Sequence, residues 1–435
     1  MPALPPLLTC ALCVLLTSSV STAASSTGDQ VLNKTPTQLA MQLMNSFAER
    51  TGLSSTQPVK RYLWTDAFAV CNYLGLARIT SDQAYTELAL KLVDQVHHNL
   101  GKHRDDDPRS GWISGLNDAE GDRHPTLGGL RIGKPLPERA PDEDFDEHLE
   151  WERDGQYFHY LDKWMHTLDL VTRATSQSRY SIWSRELAAT AYAAFSYPTH
   201  EDGPRRMMWK MSIDLSRALV PSMGKHDPLD GYITSLQLAT TAAALPEPVI
   251  GPKLDHAIAG YAAMVLGGDW LTDDPLGLGG LLVDAYRVQQ LQIQGARFQP
   301  ELLEALLEAA IEGLHFYKNS GELQQPPQYR LAFRELGLAI GLHAVERMQA
   351  LIDSDDNVLA VNPRLHAQLG TLMQYAPLRE HIDNFWSHPE HQQGSSWSEH
   401  RDINEVMLAT SLIPGGCLDL QTLATVNMPA EALDH

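Results

Sequence analysis

Basic side chains and cysteines are both scarce in this sequence, and each shortage removes a class of function. Lys and Arg total 33 against 54 Asp and Glu, a formal net charge of −21. Nucleic acid and anionic membrane surfaces both need a basic face, so neither is expected as the main partner. The acidity reads as a solvated exterior. Of the four cysteines, Cys10 and Cys13 fall in an apolar N-terminal run. Cys71 and Cys417 remain, too few for a disulfide framework. They could pair if the two ends of the chain meet; two buried thiols are the plainer expectation.

Other signatures are missing as well. No Cys–His set has zinc spacing. Neither His226, Asp227 and Asp230 nor His388 and His391 have a specific ligand spacing, so no metal and no cofactor are expected. No phosphate-binding loop of the Walker kind and no serine-nucleophile elbow occurs; "GLGG" at 277–280 precedes a helical segment and reads as packing. Strand-like alternation is scarce. Long apolar runs are confined to "PALPPLLTCALCVLLTSSVSTAA" at the N-terminus. Leu7–Val20 is short for a membrane span, and small residues follow it up to Ala23 and Ala24, so residues 1–24 read as a secretory signal peptide. No Lys or Arg precedes that run. The implied location is secreted or periplasmic, with no membrane association after cleavage. Asn33–Lys34–Thr35 is a glycosylation sequon if the host glycosylates exported proteins.

What the chain does have is helix. Hydrophobic residues make up 43% of 435, enough for a large core. "TPTQLAMQLMNSFAERTG" carries Thr35 as N-cap, Pro36 at the first helical position, Gln38 as capping-box partner and Gly52 at the stop. Further helices are expected over about 61–78, 81–100, 154–174, 178–196, 229–245, 252–266, 278–294, 299–317, 329–349, 365–375 and 402–413. They alternate between two kinds. Some are amphipathic with a charged face (81–100, 299–317). Others are apolar or small on most sides (278–294, 329–345, 402–413) and must lie inside the rest. Gly279, Gly280, Gly337 and Gly341 would let neighbouring backbones approach, at a cost in helix propensity. Connections from outer-type to inner-type helices are long (101–153, 197–228, 376–401) and the reverse ones short. Elaborated loops therefore gather at the N-terminal ends of the inner helices.

Six outer and six inner helices with loops on one face resemble the (α/α)6 toroid of the six-hairpin glycosidase-like superfamily, over residues 36–413. The stretches "RDGQYFHYLDKWMH", "WKMSIDLSR", "GKHDPLDG" and "HRDINEVMLATSL" also look similar to uncharacterised bacterial members. The resemblance implies an all-α fold in one domain (25–435, with a short C-terminal tail) and a carbohydrate-active enzyme, with a glycoside hydrolase as first expectation. Sugar epimerase, polysaccharide lyase and non-catalytic sugar-binding toroid are the alternatives. An irregular helical solenoid fits less well, because no 34- or 40-residue repeat is present.

The stretch "EWERDGQYFHYLDKWMHTLDL" sharpens the expectation. His159, Asp162, Lys163, His166 and Arg173 recur at three- and four-residue steps on a helix otherwise apolar on two faces. Buried charge needs a partner or a purpose, and in a toroid the stripe His159–Lys163–His166 would face the central cavity. Glycoside hydrolysis needs one carboxyl held protonated and another ionised. Asp154 and Asp214 are the leading pair, then Asp66 and Glu335. Trp64, Tyr157, Tyr160, Trp164 and Trp209 offer flat faces for a sugar ring. Gln156, Lys163, His166, Lys210, His226, Asp227, Arg330, Arg334, His400 and Asp402 offer polar contacts at the mouth. Asp230 reads as an N-cap or turn residue, and Asp402 with Glu405 as a capping box. The basic members, Lys163, Lys210, Arg330 and Arg334, suit the carboxylate of a uronide. The expected partner is thus a small-molecule or oligosaccharide substrate. The oligomeric state is not legible.

Overall fold

In the computed structural model, residues 34–201, 203–246, 250–354, 362–421 and 423 are described. The signal-peptide reading of residues 1–24, with Cys10 and Cys13, lies outside them. Thirteen helices longer than one or two turns occur among the described residues. They are α1 (Pro36–Arg50), α2 (Leu63–Thr80), α3 (Gln83–Leu100), α4 (Phe158–Thr175), α5 (Ser178–Phe195), α6 (Asp227–Ala244), α7 (Asp255–Val265), α8 (Pro275–Ile293), α9 (Leu302–Ser320), α10 (Ala332–Ile352), α11 (Pro363–Leu372), α12 (Ala376–Ser387) and α13 (Arg401–Leu412). None is long and apolar enough to cross a membrane.

Their packing is circular. Helices α2, α4, α6, α8, α10 and α13 each touch the next, and α13 touches α2 again. Around this ring α3, α5, α7 and α9 each pack on the inner helix before them, α12 packs on α10, and α1 packs on α13. The architecture is an all-α (α/α)6 toroid. The inner helices are buried on nearly every side; in α2 every residue from Leu63 to Ala77 except Phe68 is buried.

Local chemistry explains the turns. Helix α1 starts with a complete capping box between Thr35 and Gln38. Helices α2 and α4 end on left-handed serines, Ser81 (φ 59°) and Ser176 (φ 56°), which reverse the chain into the outer helix within two residues. Asp274 caps α8 by accepting from the Gly277 amide at 2.9 Å, and Pro275 follows it. Three of the four glycines read as contact points are so. A Cβ on Gly279 would meet the Gly337 carbonyl oxygen at 2.0 Å, and one on Gly341 would meet the Gly279 Cα at 2.7 Å. Gly280 differs: a Cβ there meets nothing within 4 Å.

The longest outer-to-inner connections run between α3 and α4 and between α5 and α6. They fold into a small antiparallel sheet of order β1–β4–β5, from Gln156–Tyr157 (β1), Lys210–Met211 (β4) and Ala218–Val220 (β5), and a hairpin of Ser196–Pro198 (β2) with Arg205–Met207 (β3). The connection expected at 376–401 is shorter, because 376–387 is α12. Trp386 therefore sits on an outer helix rather than in a loop. At the other end, the chain after α13 crosses the C-terminal ends of the inner helices. Gln290 on α8 donates to the Leu418 carbonyl at 3.0 Å, Arg173 on α4 to that of Gln421 at 2.8 Å, and Gly416 lies against Gly75 of α2. That end of the ring is covered, and the loops elaborate the opposite one.

Candidate active site

The inner helices and the turn after α13 enclose a cavity of about 260 Å³. Its two halves differ in chemistry. Trp64 and Phe68 of α2, Gly337 and Ile340 of α10, Met407 of α13 and the glycines of α8 make an apolar and backbone-rich half. His159, Lys163 and His166 of α4, His226 and Asp230 at the start of α6, and Asp284 and Arg287 of α8 make a polar half. Gly280 lines the same space, so this helix-interior glycine keeps a volume open rather than letting helices touch.

The polar half is centred on two carboxyls. The Asp230 and Asp284 carboxyls lie next to each other, near enough that each shifts the other's titration. Lys163 Nζ reaches Asp230 at 3.1 Å and Asp162 at 3.4 Å, and Arg287 Nη1 reaches Asp284 at 3.0 Å. Burial pushes both carboxyls up. At Asp230 the neighbouring Lys163 charge and the Asp284 hydrogen bond outweigh it and hold the group below the ordinary range. At Asp284 burial and the Asp230 charge act together and raise it well above. One member is thus ionised and the other protonated, the arrangement expected when two carboxylates share a site. Asp227, one turn before Asp230, is pushed up to about 8 by burial and then by the charges of Asp230 and Asp162.

Below this level the lumen is a hydrogen-bonded ladder in which Asp169 Oδ1 alone has no protein partner. Arg287 donates to Gln237 Oε1 at 3.0 and 2.7 Å, Gln237 donates to Asp169 at 2.7 Å, and Arg173 binds Asp169 at 2.8 Å. His166 spans Gln237 (3.1 Å) and the Cys417 carbonyl (3.0 Å). Above it, buried polar atoms have no protein partner: Trp64 Nε1 and His159 Nδ1 on residues lining the cavity, and Asp227 Oδ2 beside it. Orphaned buried donors and acceptors are unusual unless something else binds them. Burial lowers His159 to about 4, so its ring is neutral near pH 7. Among the described residues no group of three or more His, Cys, Asp or Glu could hold a metal ion.

Of the residues singled out from sequence, Trp64, His159, Lys163, His166 and His226 line this cavity. Trp209 stacks on His159 with centroids 6.0 Å apart. Tyr157 lies 5.3 Å from Trp209, and Tyr160 lies 5.4 Å from Trp64, so the aromatic wall continues outward. The other carboxylates are elsewhere. Asp154 is fully buried, bound to Arg131 (2.6 Å), Arg104 (3.3 Å) and the Gly133 and Gly155 amides (3.0 and 3.1 Å); it knots the loop before α4. Asp214 sits in a turn. Burial would raise it, but hydrogen bonds from Ser216 and Ser212 and the Arg109 charge hold it at about 2. Asp66 accepts from the Tyr62 amide at 2.9 Å beside Arg61 and is pushed up to about 6 by burial. Glu335 is held by Arg330 (2.8 and 2.5 Å) and the Trp386 indole (2.8 Å). None of these four lines the cavity.

The remaining polar picks are tied into the fold. Gln156 clamps the Gly128, Leu130 and Ile213 backbone. Lys210 is fully buried on Glu150 and Arg153. Trp164 donates to His97 at 3.1 Å. Arg330 lies 3.7 Å over the Phe385 ring. His400 precedes α13 against Phe333. Asp402 and Glu405 form no capping box; both bind Arg50 of α1 at 2.7 Å. Arg334 pairs with Asp274, itself a cavity residue. Asp230 is neither a cap nor a turn but the partner of Lys163. Asp284 and Arg287 were not anticipated, although charged residues three apart on an otherwise apolar inner helix are the signal α4 displays.

No family model and no curated protein matches the sequence. Solved structures do match in shape. A GH76 α-mannanase from Bacteroides thetaiotaomicron aligns with a TM-score of 0.49 at 9% identity, covering 89% of this chain and 98% of its own. The cellobiose 2-epimerase of Spirochaeta thermophila aligns with a TM-score of 0.43 at 11% identity, covering 90% and 100%.

Proposed function

We propose that the cavity is the active site of a carbohydrate-active enzyme working by proton transfer, with Asp284 as acid and Asp230 as its ionised partner. One observation carries the reading: two carboxyls in contact, driven in opposite directions, line a cavity whose other half is aromatic and apolar. A sugar ring has that same division, an apolar face and a polar rim. The volume lies below the roughly 300–1,000 Å³ of drug-sized ligand pockets, so its inner part suits a short sugar. Trp209 and Tyr157 extend the wall for further units.

Two reactions are open to such a pair. In glycoside hydrolysis Asp284 protonates the leaving oxygen and a second carboxylate stands across the scissile bond, at about 5–9.5 Å from the first. Asp230 is too close for that. Asp274 is ten residues from Asp284 along α8, roughly 15 Å by helical rise. Hydrolysis therefore asks Asp230 to activate water after the proton has left. In epimerisation or lyase chemistry, a base removes a carbon-bound proton. There the touching pair is one acid/base unit, and neutral His159, with its unpaired Nδ1, is the second. The contact between the carboxyls favours this second reaction class. Export to the periplasm or medium, inferred from residues 1–24, belongs to the same proposal.

The test is a panel of neutral and uronic-acid oligosaccharides given to the chain from residue 25 onward. New reducing ends indicate hydrolysis, unsaturated-uronide absorbance a lyase, and an altered product stereocentre by NMR an epimerase. Product that Asp284→Asn abolishes supports the reading. Turnover that survives in Asp284→Asn and Asp230→Asn overturns it.

A further inference from the structure

We propose that Cys71 and Cys417 form an oxidisable dithiol at the covered end of the cavity, a modification site for small hydroperoxides that enter through the sugar site's own mouth. Cys71 is on the third turn of α2, and Cys417 is in the turn that crosses the ring after α13. Nearly 350 residues separate them in sequence. The two thiols are near enough that each shifts the other's titration. Both are free and buried, yet Cys417 lines the cavity. The backbones are pressed together here, since a Cβ on Gly416 would stand 2.2 Å from the Cys71 carbonyl oxygen. Bridging them asks for the sulfurs to come to bond length, about 2 Å, between backbones that are already in contact.

Their surroundings divide the labour. His166, whose Nε2 reaches the Cys417 carbonyl at 3.0 Å, and the Lys163 charge lie beside the Cys417 thiol; the Cys71 neighbour, then these, hold it at about 5 despite burial. Cys71 is driven the other way by its Cys417 neighbour and by burial, with Thr167 Oγ1 at 3.7 Å. The nucleophilic thiolate is therefore on the cavity side and the resolving thiol behind it. The Cys417 thiolate attacks the terminal oxygen of a hydroperoxide. An S–O bond forms, the O–O bond breaks, and the alcohol, or water from hydrogen peroxide, leaves with a proton. Cys71 then attacks the sulfenic sulfur, the S–S bond forms and water leaves. One peroxide is reduced by two electrons and two thiols become one disulfide. The product staples α2 to the segment covering the ring and draws Cys417 from His166. None of this depends on which sugar the cavity takes.

Hydrogen peroxide at a few equivalents, added to the full chain, tests it by proteolytic mapping. The expected result is a Cys71–Cys417 linked peptide, 2 Da lighter than the sum of its parts and lost on reduction. Cys71→Ser should leave Cys417 as a sulfenic acid that dimedone captures, and Cys417→Ser should leave Cys71 unoxidised. Gly280→Leu, which fills the route, should slow linkage at least tenfold. Thermal melts of each variant identify any that fail to fold. The proposal falls if methionines oxidise before any link forms, or if Cys71 oxidises equally fast without Cys417.

Discussion

The Asp284 carboxyl on α8 lies beside that of Asp230 on α6, and each has its own cation, Arg287 at 3.0 Å and Lys163 at 3.1 Å. Lys163 holds Asp230 ionised, whereas Arg287 is shared with Gln237 and Thr234 and leaves Asp284 the protonated member. Replacing Asp284 by Asn keeps the shape and removes the transferable proton. Turnover should fall by about 10²–10⁴-fold, the usual worth of general acid–base catalysis. The melting temperature should hold or rise, because a carboxyl that resists ionisation beside Asp230 is removed.

Asp227 gives a pH signature. Its folded pKa, about 8, is raised above the ordinary carboxylate value. Its stabilising share is therefore complete below pH 4 and lost as pH climbs towards 8. The wild-type melting temperature should fall between pH 5 and pH 9. Asp227→Asn should flatten that slope and be the more stable form at pH 9, by at least ~1.4 kcal/mol, the equivalent of one pKa unit. A wild-type slope unchanged by the substitution would place the titration elsewhere.

Gly280 and Gly279 are neighbours with opposite expectations. Gly280→Ala adds a methyl into open space and should stabilise by about 1 kcal/mol through helix propensity. Gly280→Leu should keep the fold but abolish sugar-induced melting shifts. Gly279→Ala would force a carbon to 2.0 Å from the Gly337 carbonyl and should destabilise strongly. Equal effects at the two positions would contradict the cavity's role.

Asp154→Asn should behave as a structural lesion. Two arginines and three backbone amides converge on this buried carboxylate. Removing its charge should cost about 3–5 kcal/mol, as for other broken buried pairs, and loosen the 101–157 loop. Activity and melting temperature should drop together. Lost activity with unchanged stability would return Asp154 to the chemistry.

The toroid was legible because it is written in periodicities. Helices apolar all round alternate with amphipathic ones, and loop length alternates with them. The stripe His159–Lys163–His166 was legible for the same reason, since polar residues at helical spacing on a buried helix must face something. What sequence could not supply was pairing across the ring. Asp154 looked free because Arg104 and Arg131 lie 50 and 23 residues away. Asp230 looked like a cap because its partner, Lys163, is 67 residues earlier. Asp284 was hidden inside a helix apolar or small on most sides, where a single carboxylate among leucines is easily passed over. Helix α12 fell within the connection read at 376–401, although Pro377 stands in its first turn.

Arg50 of the first helix binds Asp402 and Glu405 of the last, and Asn72 donates to the Val406 carbonyl at 3.0 Å. The ring's seam thus joins an early-made helix to one made some 350 residues later. A polypeptide growing from the ribosome has five of its six hairpins in hand while α1 still lacks the helix it packs on, and the belt is buckled only after α13 has emerged. A chain released before residue 401 would carry an open notch with the apolar faces of α1 and α2 wet.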